Sequence, residues 1–205
     1  MKKEKTAKTE KNEKHWERVT QEFAPVCDAD CRVLILGTAP SKKSREVGFY
    51  YGHPQNRFWK MLAAVTGERV PQSIAEKKAL LLRNHIALHD VIHSCDIIGS
   101  SDSSIKNVEP ADLERILAVT GRVAILCNGG TSYKLYRKYQ ESRLGIPAVQ
   151  LPSTSPANAA WNLERLSAAW GEVLLPLLEE GEQGLNPGTA LETVGLECRR
   201  GKWNS

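Results

Sequence analysis

Four short apolar runs constrain the fold of this chain more than any other feature of it. The first, residues 33–36 (Val-Leu-Ile-Leu), is closed by Gly37, and three more follow at residues 86–91, 123–127 and 148–151. Runs this short, bounded by turn residues, are what strands of a parallel sheet look like when both faces are covered. Helical periodicity fills the gaps between them. Residues 56–65 place Phe58, Trp59, Leu62 and Ala63 on one stripe and stop at Gly67, and residues 73–83 give a second helix. A third starts at Pro110 with Leu113, Ile116 and Leu117 inward, and a fourth spans 132–141. The last, 159–178, carries Leu163, Leu166, Trp170, Val173, Leu174 and Leu177 at core spacing. Trp16, Val19 and Phe23 predict a further short helix over 15–23. Strands alternating with helices require right-handed crossovers, so the fold class is α/β: a three-layer α/β/α sandwich around a four-stranded parallel sheet.

A chain of 205 residues is long enough for one full domain and short for two. The domain is expected over 15–180, with a flexible basic tail at 1–14 and a loosely ordered, turn-rich tail at 181–205. No apolar run approaches the ~20 residues of a membrane helix, and no apolar segment follows the first lysines, so neither a membrane span nor a secretory signal is expected. The five cysteines are an odd number without a framework of pairs, which fits reduced thiols in a cytoplasmic protein. Cys27, Cys31, Cys95 and Cys127 could form a four-thiolate cluster site, but Cys95 and Cys127 end apolar runs, where buried cysteine is common. A monomer without metal or cofactor is the expectation.

Sheet strands of this kind deliver their following loops to one edge, where ligands bind. Three of those loops have unusual content. The loop Gly37-Thr38-Ala39-Pro40-Ser41 begins with glycine but lacks the lysine and glycine spacing of a nucleotide-triphosphate loop, and no GxGxxG follows any strand. Further on, Tyr50-Tyr51-Gly52-His53-Pro54-Gln55-Asn56 offers a flat aromatic face with a glycine that permits close approach, or else surface aromatics and an ordinary helix cap. The last loop, Leu151-Pro152-Ser153-Thr154-Ser155-Pro156-Ala157-Asn158, sets hydroxyls before a helix, an arrangement that suits phosphate oxygens or a plain capped turn. Net charge is +4, and Lys42, Lys43, Arg45, Arg57 and Lys60 face only Glu46 in the first loop region. Lys134, Arg137, Lys138 and Arg143 form a second basic group, equally read as a solvated helix face. Aromatic site, hydroxyl clamp and local positive charge together suggest a base and its sugar-phosphate strand.

On these loops, in this order and spacing, the chain resembles the uracil-DNA glycosylase superfamily and, within it, the hypoxanthine-DNA (deoxyinosine) glycosylase branch. The likeness rests on Gly37-Thr-Ala-Pro-Ser41, Tyr50-Tyr-Gly-His-Pro-Gln-Asn-Arg-Phe-Trp59, Gly99-Ser-Ser-Asp-Ser-Ser-Ile105 and Leu151-Pro-Ser-Thr-Ser-Pro-Ala-Asn158. It covers roughly residues 30–178. The resemblance implies a monofunctional hydrolase that flips a deaminated base out of DNA and cuts its N-glycosidic bond, because the glycosidic carbon is out of reach inside a stacked duplex. It further implies that Tyr51 stacks on the base, that Gly37, Thr38 and Ala39 cradle it, and that the Ser155-Pro156-Ala157-Asn158 turn pinches phosphates, with Ser41, Lys42, Lys43, Ser153 and Thr154 also on the DNA.

Two positions depart from the family pattern. Ala39 stands where many members carry an Asp or Asn that activates water, and Ser153 replaces the histidine of uracil-specialised relatives. Asn56, in the His-Pro-x-Asn segment, is the substitute candidate for orienting the water. His89, Asp90 and Asn128 are candidates for reading the base edge from strand ends, His53 either donates to the base or holds its loop, and Asp102 is a loop cap or a catalytic aid. Rival readings are a uracil or mismatch-specific glycosylase, a damaged-DNA-binding module without chemistry, and a hydrolase of free nucleosides.

Overall fold

The computed structural model describes residues 15–99 and 101–179, so both expected tails lie outside the described residues. In chain order the elements are β1 (Trp16–Thr20), β2 (Val33–Gly37), α1 (Lys42–Val47), α2 (Phe58–Thr66), α3 (Ile74–Arg83), β3 (Ile86–Asp90), β4 (Ile92–Ile98), a 3-10 turn (Asp102–Ser104), β5 (Lys106–Pro110), α4 (Glu114–Thr120), β6 (Ala124–Asn128), α5 (Gly130–Tyr139), α6 (Glu141–Leu144), β7 (Ala148–Leu151) and α7 (Leu163–Glu179). The four apolar runs form one parallel sheet of order β3-β2-β6-β7. Its residues alternate between two cores. Val33, Ile35, Leu88 and Leu126 pack with Phe58, Leu62 and Trp170 on one face. Leu34, Leu36, Ile125 and Cys127 pack with Leu113, Ile116 and Tyr136 on the other. Covering both faces of the sheet explains why the central strands β2 and β6 read as apolar runs, each large side chain so buried contributing ~1.5–3 kcal/mol.

Chain connection places the ligand edge. From β2 the chain crosses to β3 on one side, then passes back over β2 to β6 on the other. The strand order therefore reverses beside β2, and the crevice outside the carboxyl ends of β2 and β6 is the topological switch point. Gly37 and Asn128 end those strands, while Gly37 pairs with Asp90 at the end of β3.

Several sequence expectations are corrected. Residues 15–23 are not helical: Trp16–Thr20 is an edge strand paired antiparallel with β4, with Val19 opposite Cys95. Trp16 and Val19 at a spacing of three satisfied a helical stripe, but only Val19 is buried, and β-branched Val19 and Thr20 favour the pleated conformation. A second, three-stranded antiparallel sheet, β1-β4-β5, was not anticipated. Its central strand turns Ile92, Cys95 and Ile97 into a small core with Val19, and the register shift between Ile92 and Ser94 breaks the alternation that would have marked it as a strand. Pro110 ends β5 instead of starting a helix, and the helix begins at Glu114. The supposed loop after β2 contains α1, capped by Ser41 and ended by Gly48 in the left-handed conformation (φ 75°). The final helix begins at Leu163, which is exposed.

Among the described residues no helix is long and apolar enough to cross a membrane. Cys31 and Cys127 belong to one core and Cys95 to another, and among the described residues no group of His, Cys, Asp or Glu is arranged to hold a metal ion. Burial pushes the Cys31 and Cys127 thiols up to about 12.

Candidate active site

A cleft of roughly 630 Å³ opens at the switch point and gathers the loops after β2, β3, β6 and β7. Its floor is Gly37, and the reason for glycine there is steric. A Cβ at this position would lie 2.2 Å from Asp90 Oδ1 and 3.1 Å from Tyr51 Oη, so any side chain would displace the groups it was meant to support. Asp90 is buried and lines the cleft. Its Oδ2 accepts a hydrogen bond from Gln21 Nε2, and the Gln21 Oε1 in turn accepts from Phe23 N at 2.8 Å. Burial drives the Asp90 carboxyl up to about 7, Gln21 pulls it back, and the nearby Asp102 adds to the rise.

Tyr51 adopts a left-handed backbone (φ 52°), rare for a bulky residue, which turns its ring into the cleft. One face of the ring stacks on Phe58 (centroids 4.0 Å, 24°) and Trp59 meets it edge-on. Its hydroxyl is buried without a hydrogen bond of good geometry, although the Asn128 side chain lies close enough to favour the charged form slightly; burial holds the phenol far above its ordinary range. Tyr50 faces away from this stack, its hydroxyl 2.7 Å from His89 Nδ1.

Burial, and then His93, lower His89 to about 4, so it is neutral at pH 7. His89 stands behind the wall and does not line the cleft, unlike the expectation that it reads the base. Successive strand residues point to opposite sides, so Asp90 and His89 cannot both face the site.

Asn56 is held at the start of α2. Its Oδ1 accepts from Phe58 N at 3.0 Å and from Thr154 Oγ1 at 3.0 Å, which orients the amide with its NH2 group outward. Thr154, fully buried, accepts from Asn128 Nδ2 at 2.9 Å and donates its backbone N–H to Asn128 Oδ1 at 3.0 Å. A relay thus runs from the end of β6 through Thr154 to Asn56. Asn128 makes that clasp while still lining the cleft, and Thr154 cannot reach a phosphate with its side chain as the sequence suggested, because none of it is exposed.

Arg57 also differs from expectation. It was counted in the basic loop, yet its guanidinium donates to the carbonyls of Thr154 (3.3 Å), Asn158 (3.1 Å), Ser155 and Trp161. It fastens the 153–158 loop to α2. The loop braces itself as well: Ser153 Oγ accepts from Ser155 N (3.2 Å), Ser155 Oγ from Ala157 N (3.3 Å), and Asn158 Nδ2 donates to the Ser153 carbonyl (2.9 Å). Pro156 and Ala157 remain exposed at the tip, and Ser153, Ser155, Pro156 and Ala157 line the cleft whereas Asn158 does not.

At the opposite rim, Ser41 caps α1 and Lys42 is exposed to the cleft. Lys43 is paired with Glu46 (2.8 Å) and Arg45 with Glu17 (2.9 Å), so the local positive charge is smaller than a residue count implies. In the second basic group Arg137 pairs with Glu141 and Arg143 with Glu114, which makes it a solvated helix face. Thr38 and Ala39 line the cleft, and Ala39 contributes only an apolar surface. His53 lies exposed on the rim, where its Nδ1 accepts from Gln55 N (3.2 Å) and its carbonyl from Asn56 N (2.9 Å), so it holds the turn. Asp102 keeps an exposed edge while neighbours crowd its carboxylate; the resulting desolvation raises its pKa and the hydroxyls of Thr131 and Thr38 oppose that.

Gln21 and Phe23 are the contributions that sequence reasoning missed. Phe23 lines the cleft from the segment after β1 and Gln21 holds Asp90 from behind it, and no local pattern marks a glutamine as the partner of a carboxylate 69 positions away.

The family model described as the uracil DNA glycosylase superfamily matches residues 24–174. The chain is similar to a protein named hypoxanthine DNA glycosylase from Methanosarcina acetivorans, 32% identical over 146 residues that cover 71% of this chain and 92% of the relative. A second protein of that name, from Methanosarcina barkeri, is 32% identical over 154 residues, 74% of this chain and 96% of the relative. A solution NMR structure from Methanosarcina acetivorans, described as a candidate uracil DNA glycosylase, superposes with a TM-score of 0.65 at 30% identity, covering 76% of this chain and 96% of that one.

Proposed function

The chain belongs to the uracil DNA glycosylase superfamily, and from that premise we propose that it hydrolyses the N-glycosidic bond of hypoxanthine in DNA, leaving an abasic site without cutting the strand. The observation that carries this reading is the make-up of the cleft: an aromatic wall, Tyr51 backed by Phe58, beside the buried Asp90 carboxyl and the Asn56 amide. Such a set suits a flat, largely neutral ring better than a chain of phosphates. The names of two relatives at 32% identity support hypoxanthine as that ring.

In the proposed reaction the base is extruded and stacks on Tyr51 over the Gly37 floor. The bond from the sugar C1′ to the base nitrogen breaks, its electron pair leaves with the base, and a water oxygen bonds to C1′. The base takes up a proton and the water gives one up, so the sum is a hydrolysis. Asn56 holds the water through its NH2 group, since both acceptor sites of Oδ1 are occupied. An amide donor cannot remove the water's proton, and Asp102, the rim carboxylate, is its acceptor. Lys42 and the exposed loop tip at Pro156 and Ala157 meet the DNA backbone on either side.

The test is incubation with duplexes carrying a single hypoxanthine, uracil or xanthine, followed by alkali to cut abasic sites, with and without EDTA. Alkali-dependent cleavage fastest at hypoxanthine and indifferent to EDTA is expected. A preference for uracil would overturn the substrate, and no cleavage at any base would leave a damage-binding module. Ala39, which removes the family's usual water-activating side chain, is the observation favouring that second reading. Asn56→Ala separates the two, because an enzyme loses turnover while retaining affinity.

A further inference from the structure

A left-handed backbone is unfavourable for a bulky residue and persists only where its surroundings hold it there. Tyr51 has that conformation (φ 52°) at the aromatic wall of the cleft, and its own side chain does little to secure it. One ring face stacks on Phe58 at 4.0 Å, and the hydroxyl is buried without a hydrogen bond of good geometry. What fixes the ring must therefore act on the backbone.

Because peptide groups are planar, φ and ψ of Tyr51 only turn the peptide group before it against the one after it. Each of the two is held by a side chain from a different helix. The Tyr50 carbonyl accepts from Trp59 Nε1 of α2 at 3.2 Å, in a buried setting. The Gly52 N–H donates to Ser44 Oγ of α1 at 3.0 Å. Both side chains are themselves fixed in place. The Trp59 ring lies over Phe49 (centroids 6.0 Å, 20°) and meets Phe58 edge-on at 5.0 Å. Ser44 is buried, its hydroxyl is 3.0 Å from Ser41 Oγ, and its N–H donates to that same oxygen at 3.2 Å. Gly52 approaches α1 so closely that a Cβ on it would stand 3.0 Å from Ser44 Cα and 3.1 Å from the Lys43 carbonyl oxygen. A residue with a side chain could not bring its N–H to Ser44 without moving the helix.

We propose that Ser44 and Trp59 are positioning residues for base excision. By pinning the peptide groups on either side of Tyr51 they hold its strained backbone, and with it the ring that stacks on the extruded base, before DNA arrives. Without a pin, Tyr51 relaxes toward the ordinary regions, a turn of roughly 110° or more in φ that carries the ring off Phe58. This rests on the glycosylase reading above and adds to it the source of the stacking wall's rigidity. Both residues act through Tyr51. Ser44 borders the cleft, whereas Trp59 does not line it, so a shared effect of the two cannot come from a lost substrate contact.

The experiment compares wild type, Ser44→Ala and Trp59→Phe in single-turnover excision from a hypoxanthine duplex at saturating protein, where the rate constant does not depend on the folded fraction. Affinity for an abasic-site duplex, which offers no base to stack, is measured beside it. In each variant the rate constant should fall on the order of 10-fold, the scale of one lost hydrogen bond, while abasic affinity stays within about twofold of wild type. A rate constant unchanged in either variant overturns the part given to that residue. A fall in rate matched by an equal fall in abasic affinity overturns the proposal, because the whole site is then disrupted. Amide exchange of the protein without DNA tests the order of events: the Gly52 N–H should be protected in the wild type and faster in Ser44→Ala, and an unprotected wild-type amide refutes preorganisation. If Ser44→Ala does not fold, Trp59→Phe decides by the same split. Should the wild type excise uracil and not hypoxanthine, the substrate reading falls and the same comparison is made on uracil, with the same outcomes. A wild type that excises no base overturns the glycosylase reading and this inference with it.

Discussion

Gly37→Ala is the smallest change that reaches the floor of the cleft, and its consequences can be worked from distances. The new methyl would meet Asp90 Oδ1 at 2.2 Å, while ordinary contact begins near 3.4 Å, so the carboxylate must retreat by about 1.2 Å. Behind it stands Gln21, with its own partner Phe23, and beside it the buried hydroxyl of Tyr51. Retreat strains that bond in a packed wall, at a cost of ~1–3 kcal/mol. For a domain of this size each kcal/mol lowers Tm by ~2–4 °C. A fall of ~2–12 °C is therefore expected, with the protein still folded. Function should suffer more. Displacing a recognition group by about 1 Å costs on the order of 10²-fold in rate, while the DNA rim at Lys42 and the 153–158 loop is untouched. Thermal melting, single-turnover excision at hypoxanthine and binding to an abasic-site duplex would be measured together. Excision within twofold of wild type would refute the reasoning, as would binding lost in parallel with excision.

Other predictions concern the supports of the site and its charge. Thr154→Val removes the hydroxyl between Asn128 and Asn56 and leaves buried Asn128 Nδ2 short of an acceptor, so a loss of ~1–3 kcal/mol is expected by denaturation, with a lower excision rate at saturating DNA. Arg57→Met takes the guanidinium away from three carbonyls of the 153–158 loop and from that of Trp161, and should raise the loop's amide hydrogen exchange and weaken affinity for abasic DNA. Lys42→Ala should leave the saturated rate unchanged while reducing the salt slope of binding by ~1.

Stability against pH carries two opposed contributions. The raised Asp90 stabilises fully below its unfolded value near 3.8, and this is lost as pH rises through about 7. The lowered His89 stabilises fully above 6.5, and this is lost as pH falls through about 4. Because the windows coincide they offset each other in the wild type, and Asp90→Asn should expose the His89 contribution as a fall in Tm on acidification from 6.5 to 4. A flat profile in that variant would contradict the burial argument for His89.

Of the fold, what could be read from the chain was whatever burial writes into local pattern. Strands covered on both faces became short, mostly apolar runs between turn residues, so β2, β3, β6 and β7 were legible as one parallel sheet. The antiparallel sheet was not, because β1 and β5 are mostly exposed edges whose polar residues carry no period of their own. Pro110 misled for a related reason: the residue that starts a helix in one setting ends an edge strand in another.

The site divides along the same line. The sequence by itself determined that the loops after the parallel strands meet at one edge, that Gly37, Tyr51, Asn56 and the Leu151–Asn158 motif belong together, and that Ala39 brings no acid or base. Those conclusions depend on residue type and on strand direction, which local pattern carries. Only the tertiary structure decided which face of each strand looks into the cleft, so that Asp90 lines it while His89 backs Tyr50. It likewise decided that Arg57 spends its charge on loop carbonyls, that Thr154 is buried in a relay, and that Gln21 arrives from an unexpected strand. Hydrogen-bond partners and burial are set by elements far apart in the chain, and their joint effect on a carboxyl or an amide exists only once those elements are packed together.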